Sequence, residues 1–385
     1  MMNQRSILTV ALLLLWGCSS STAQEPSQGT STKVEAATTG VPLAISSQRD
    51  VNAAILPVPP VVASTVPANG DLNPYGVAFV PPEFPSGGLL NPGDLLVSNF
   101  NNSQNQQGTG TTIVKFAPNG SQTLFFQGQT GLGLTTALEI LKAGFVLVGN
   151  FPSSDGTCGN SQPGSILVID GSGRLVTSVT PTGLNGPWDS TVDDHGNEAT
   201  LFLSSALTGT VLRFKLTIGG GRVSFSTPTV VASGYAFRCD PVTFVVGPTG
   251  LVYDERQGIL FVASTGDNAV FAVEHAAERT SSAGMGQVIF QDKVHLHGPL
   301  AMVEGPNGHL FVSNNDGINP DPNQPSEIVE FTTRGTFLRQ LSVDLAPGGA
   351  FGLNFDRPVQ DTVRFAAVDD NANNITIWTL TLPDN

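Results

Sequence analysis

A short apolar phrase ending in a small polar residue recurs six times along this chain. It reads LLVSN from Leu95, VLVGN from Val146, LFLSS from Leu201, LFVAS from Leu260, LFVSN from Leu310 and FAAVD from Phe365. Successive starts lie 51, 55, 59, 50 and 55 residues apart. Self-similarity at such a period marks a repeat architecture, in which each unit buries its apolar face on its neighbours.

Each repeat resolves into four strands. A first strand follows Gly or Pro, at Tyr75 to Val80, Thr135 to Leu141, Trp188 to Val192, Thr249 to Tyr253, Leu300 to Val303 and Phe351 to Phe355. A tight turn rich in Asp, Gly and Asn follows, as in Asp193 to Asn197, and the recurring phrase is the second strand. A third strand alternates apolar and polar residues, as in TTIVKFAP from Thr111 and TVLRFKL from Thr210, the period of a half-buried strand. A fourth follows Gly-containing turns such as Asn119-Gly120 and Gly219 to Gly221. Four antiparallel strands repeated radially describe an all-β, six-bladed β-propeller. The last repeat stops at Asn385 with no room for its fourth strand, and a bare blade edge leaves backbone groups unpaired. The β-prone segment Val51 to Val66 is the natural supplier, and pairing with the strand at Ile375 to Leu380 would close the ring.

These first strands, turns and LFVxS/N second strands resemble the NHL-repeat and TolB-like six-bladed propellers, a superfamily that includes the regucalcin and gluconolactonase-like proteins. The resemblance spans about residues 70 to 382. It implies a fold; such folds host enzymes, sensors and scaffolds alike.

The start of the chain speaks to its address. Arg5 is followed by the apolar run Ile7 to Trp16 and by Gly17-Cys18-Ser19-Ser20, a stretch too short to span a bilayer and of the length of a secretion signal core. Leu15-Trp16-Gly17-Cys18 resembles the lipobox of bacterial lipoproteins, with Trp16 as the departure. The resemblance implies cleavage before Cys18, lipid on its sulfur and, with Ser19 next, the outer membrane, facing the periplasm or the cell surface; an ordinary signal peptide is the alternative. From Ser19 to Pro74 there is no aromatic residue, and Ser, Thr, Ala, Gln, Pro and Val dominate. Such a stretch cannot bury enough surface to offset its chain entropy. The expected organisation is therefore a signal at 1–17, a flexible tether at 18–50 and a propeller at 51–385. With 17 basic against 31 acidic residues, a net charge of −14 and no basic cluster, the chain lacks the phosphate-neutralising surface of a nucleic-acid binder.

If first strands run down the channel and second strands return, the fourth-to-first and second-to-third loops gather on one face. The longest loops lie there: Asn99 to Thr111, Asn150 to Gly164, Ser233 to Gly247 and Asn314 to Ser326. The residues ending the phrase, Asn99, Asn150, Ser205, Ser264, Asn314 and Asp369, form a ring on that rim, joined by Trp188 and by His295 and His297 of an HLHGP loop. Such residues either cap strands and satisfy loop amides or hold a ligand over the channel. Asn150, Asn314, Asp316 and Asp369 are the candidate oxygen ligands for Ca2+ or another divalent cation, and Asn319 and Asp321 extend the oxygen-rich loop without the EF-hand spacing. Asn185-Gly186-Pro187-Trp188-Asp189 resembles the first-strand entry of the gluconolactonase-like family. That resemblance implies a metal-ligating Glu where this chain has Asn185, which keeps a carbonyl oxygen and lacks the charge.

No GxSxG elbow, HExxH, phosphate loop or Rossmann fingerprint is present, so no catalytic residue is assigned. Cys158 and Cys239 fall in two long loops of the same face of an exported chain, where a disulfide is expected against two free thiols. The sequence thus favours a lipid-anchored binding or scaffold propeller engaging a protein, glycan or small molecule. The alternative, from a different class, is a divalent-metal-dependent hydrolase or lyase of gluconolactonase type.

Overall fold

In the computed structural model, residues 60–315, 317–320, 327–343, 349–357 and 361–382 are described. The expected signal and tether, Cys18, residues 51–59, Asp316 and Asp321 lie outside them. Strand β1 (Val61–Ser64) precedes a first blade of β2 (Leu72–Phe79), β3 (Leu95–Asn101), β4 (Thr112–Phe116) and β5 (Gln122–Gln127). The second blade holds β6 (Leu134–Leu141), β7 (Phe145–Asn150), β8 (Ser165–Asp170) and β9 (Leu175–Val179). The third holds β10 (Pro187–Asp194), β11 (Glu198–Ser205), β12 (Thr210–Gly219), β13 (Arg222–Phe225) and β14 (Thr229–Ser233), the last two pairing with opposite ends of β12. A small hairpin of β15 (Arg238–Asp240) and β16 (Phe244–Val246) follows. The fourth blade holds β17 (Pro248–Asp254), β18 (Ile259–Ser264), β19 (Ala269–Glu274) and β20 (Gln287–Phe290). The fifth holds β21 (Pro299–Glu304), β22 (His309–Asn314), β23 (Glu327–Thr332) and β24 (Phe337–Ser342), and the sixth β25 (Ala350–Phe355), β26 (Thr362–Asp369) and β27 (Asn374–Thr381).

The sixth blade is completed by β1, as the missing fourth strand requires. Val61 to Ser64 pair antiparallel with Ile377 to Asn374, and the backbone N–H and Oγ1 of Thr65 both donate to Asn373 O at 2.9 Å. The ring is therefore an all-β, six-bladed propeller closed by an N-terminal strand.

The recurring phrase explains how each blade grips its neighbours. Its apolar residues are buried in every blade. All six pairings of first with second strand carry a register shift near the start of the first strand, and such a bulge leaves a backbone group without its ladder partner. In three blades the fourth residue of the phrase supplies that partner. Ser98 Oγ accepts from Gly76 N–H, Ser204 Oγ from Asp189 N–H and Ser313 Oγ from Ala301 N–H, at 2.9, 2.9 and 3.1 Å. In the second blade the position is Gly149, where a Cβ would lie 2.3 Å from Thr135 Oγ1.

The residue after the phrase closes a second contact. The N–H groups of Phe151, Ala206, Thr265, Asn315 and Asp370 donate to the carbonyls of Gly133, Gly186, Gly247, Gly298 and Gly349, at 2.7 to 3.0 Å. Each bond ties the end of a second strand to the entry of the first strand beside it, so long loops and strand entries share one face. The inner strands crowd the axis: a Cβ on Gly352 would sit 1.7 Å from Tyr75 O, so only Gly lets β25 approach β2 this closely.

Candidate functional site

The long-loop mouth of the channel is filled by aromatic rings. Tyr75 of β2, Trp188 of β10 and Phe351 of β25 come from inner strands, Phe100 and Phe151 follow the phrase, and Phe244 is delivered by the hairpin. Tyr75 stacks on Phe100 at 4.7 Å and on Phe351 at 4.8 Å, while Trp188 meets Tyr75 edge-on at 5.6 Å and Phe100 at 5.4 Å. Phe244 packs against Phe100 at 5.2 Å and Phe151 at 5.5 Å. All six are buried in one cluster, and burial holds the Tyr75 hydroxyl far above its ordinary range, so it stays neutral.

The hairpin lies inside the segment Ser233 to Gly247, which the sequence pattern reads only as a long loop. Its strands are three residues each and its turn contains Pro241, too short to show period-2 alternation. Asp240 Oδ1 accepts from the N–H groups of Val242 and Thr243, and Phe244 has φ +65°, a strained value for a bulky side chain. Two tethers hold it down. The expected disulfide joins Cys158 to Cys239, with Cα atoms 5.5 Å apart, and Gln107 Nε2 donates to Val242 O at 3.0 Å. Beside the tethers runs a groove of about 350 Å³ lined by Gln107, Gly156 to Gly159, Cys239 to Pro241 and Phe244. Phe237 and Val242 stand 51% and 76% exposed on the same hairpin region.

The phrase-ending residues lie in the blades at this face, all buried, and each uses a polar side-chain atom to hold a loop or a neighbouring residue, while Asn99 Oδ1 has no hydrogen-bond partner among the described residues. Asn150 Oδ1 accepts from Gly133 N–H and its Nδ2 donates to Ser165 Oγ. Asn314 Oδ1 accepts from His297 N–H and its Nδ2 donates to His295 O. Ser205 Oγ accepts from Asn185 N–H, Ser264 Oγ donates to Asp267, Asp369 Oδ1 accepts from Ala372 N–H, and Asn99 Nδ2 donates to Thr65 O. Both ring nitrogens of the buried His297 face backbone carbonyls, of Asn319 and Val294, and His295 Nδ1 lies 2.6 Å from Asp292 with its ring stacked on Phe337. The oxygens of Asn150 and Asn314 point at loop amides and an aromatic plug fills the mouth between them. As placed, Asn150 and Asn314 turn these oxygens to loop amides and not to a divalent cation seated over the channel.

Two carboxyl-bearing sites elsewhere went unassigned in the sequence. Beneath the plug is a chamber of about 40 Å³ lined by the inner strands, among them Glu139 of β6 and Asp189 of β10. Burial pushes Asp189 up to about 8, against the pull of backbone N–H groups of Ser190 and Leu251. Burial, reinforced by the nearby Asp189, holds Glu139 well above the usual carboxylate range. At the opposite, short-turn mouth, a pocket of about 230 Å³ is bordered by Lys142, Asp193, Asp194, Tyr253, Glu255 and Arg357. There ligand atoms of Asp193, His195 and Glu255 lie within 4.8 Å of one another, largely exposed, with His195 Nε2 3.0 Å from Asp193 Oδ1. The sequence signals only a turn at Asp193 to Asn197; nothing in it brings Glu255 of the next blade alongside.

No family model matches the sequence, and no curated protein matches it either. Solved structures do resemble it. A Thermus thermophilus protein named as an oxidoreductase (glucose dehydrogenase) has a TM-score of 0.50 at 13% identity, over 83% of this chain and 100% of its own. The calcium-binding protein regucalcin from Agrobacterium tumefaciens has a TM-score of 0.49 at 14% identity, over 83% and 95%. A protein named as a gluconolactonase gives 0.49 at 14%, over 86% and 96%. The chain is thus a six-bladed β-propeller, similar in fold to the Thermus thermophilus protein.

Proposed function

We propose that this protein is a lipid-anchored propeller of the bacterial envelope that binds a protein, glycan or small-molecule partner through its long-loop face. One observation carries the reading: the channel mouth on that face is closed by six packed aromatic rings and a disulfide-stapled hairpin. A closed, cross-linked rim is a rigid platform for recognition, with long loops on a fixed scaffold and apolar side chains at the surface. The anchor at Cys18 and the spacer that follows would hold the propeller at the outer membrane.

The full-length chain, expressed in a bacterial envelope, tests both halves. Cys18→Ser is expected to release the protein from the membrane fraction. Affinity capture from native membranes is expected to recover the same partner with wild type and to lose it with Phe237→Ser/Val242→Asp. The competing reading, a divalent-metal-dependent hydrolase of gluconolactonase type, predicts instead turnover in a lactone screen that vanishes with Asp369→Asn.

A further inference from the structure

The seam between the third and fourth blades brings together a histidine and two carboxylates from two separate turns. Asp193 lies at the end of β10, His195 in the turn after it and Glu255 in the turn after β17. One ligand atom from each lies within 4.8 Å of the other two. Both turns are held by hydrogen bonds. Asp194 Oδ1 accepts from Gly196 N–H and its Oδ2 from Lys142 N–H, His195 N–H donates to Glu198 O, and Tyr253 N–H donates across the seam to Thr191 Oγ1 at 3.3 Å. The nearby cations are engaged elsewhere: Arg256 pairs with Asp254 and Glu304, and Lys142 Nζ donates to Asp194 O. Among the described residues Asp193 has its one ion pair with His195, and Glu255 has none. The neighbouring phenol registers this negative charge. Burial first, then Glu278, Asp193, Glu255 and Asp254, push the Tyr253 hydroxyl up to about 12.

We propose that Asp193, His195 and Glu255 form a binding site for one divalent cation of the zinc class, bridging the third and fourth blades at their short-turn end. The imidazole sets the class of metal: a nitrogen ligand beside two carboxylates suits zinc and its transition-metal neighbours, whereas calcium and magnesium take oxygen alone. Ligand atoms about 2.1 Å from one tetrahedral ion lie about 3.4 Å apart. His195 and Glu255 are exposed, so rotation of these two side chains toward the half-buried Asp193 closes the remaining gap. Two carboxylates balance the charge of the ion and relieve their own repulsion. Three protein ligands leave a coordination position for water or for a ligand from the adjoining pocket of about 230 Å³, whose border also carries Lys142 and Arg357. The site lies at the opposite end of the ring from the long-loop face, so its failure leaves the binding reading standing.

Zinc titration of the full-length, untagged protein, stripped with EDTA and followed by calorimetry, provides the test. Wild type is expected to bind one Zn2+ per chain with Kd of about 10 μM or tighter, and saturating zinc is expected to raise the thermal midpoint. His195→Ala and Glu255→Gln change exposed side chains and are each expected to weaken binding by about ten-fold or more. His275→Asn, which alters an exposed histidine of another turn, is expected to leave it unchanged. Wild type that binds zinc no more tightly than the His195→Ala variant would overturn the proposal, as would zinc binding lost with His275→Asn and kept by the seam variants.

Discussion

The two mouths of one channel are built from opposite materials. At the long-loop mouth the rings of Tyr75, Phe100, Phe151, Trp188, Phe244 and Phe351 are packed out of water beneath a tethered hairpin. At the short-turn mouth Asp193, Asp194, Tyr253 and Glu255 border an open pocket with Lys142 and Arg357. The difference follows from loop length. Short turns between first and second strands have no chain to fold over the axis, whereas the segment after β14 is long enough to send Phe244 across the opening. One end of the ring is therefore a closed surface and the other a hydrated, charged well.

The contrast breaks most readily at Trp188. Removing a fully buried indole from the plug is expected to cost about 3–5 kcal/mol, so Trp188→Ala should shift the denaturant midpoint far down. Next in size is the staple. Cys158→Ser/Cys239→Ser is expected to lose about 2–4 kcal/mol, because the disulfide joins residues 81 apart in sequence. The same variant should raise hydrogen exchange at the hairpin amides while the blades stay protected. An unchanged hairpin would show that Gln107 and the rings hold it without the bridge.

The short-turn face answers to pH. Burial, aided by Asp254 and opposed by Arg256, pushes Glu304 from its ordinary 4.5 up to about 7. The folded protein then keeps a proton that the unfolded chain releases. This contribution makes stability fall as pH rises from about 4.5 and level off above about 7, by on the order of 2 kcal/mol. Urea denaturation of Glu304→Gln across that range is expected to lack this decline. The smallest effect belongs to the inner bulge: Ser313→Ala strands the N–H of Ala301 and is expected to cost about 1 kcal/mol, read as a small shift in the urea midpoint.

Much of the ring was legible because its signals are local and repeated. The phrase marks the second strand of every blade, Gly and Pro mark the strand entries, and the shortfall after Ile375 to Leu380 points to Val51 to Val66, of which Val61 to Ser64 closes the ring. The disulfide was legible from two loops expected on one face. The mouth was not. Phe244 sits in a three-residue strand entered through a left-handed residue, a pattern no periodicity detects. Glu139 was hidden for a different reason: in the strand Leu134–Leu141 an acidic residue lining an internal chamber reads like one facing solvent. Asp193 and Glu255 come together only because neighbouring blades place their turns side by side, which is geometry of the ring and not of either segment.

The claim that the closed mouth is the binding face can be tested by placing a photo-crosslinking side chain at Val242 on the hairpin tip and, separately, at His195 on the opposite mouth, in the full-length protein in its native envelope. The account predicts a discrete cross-linked partner from position 242 and none from position 195. Cross-links from 195 alone would contradict it and move the binding surface to the acidic well.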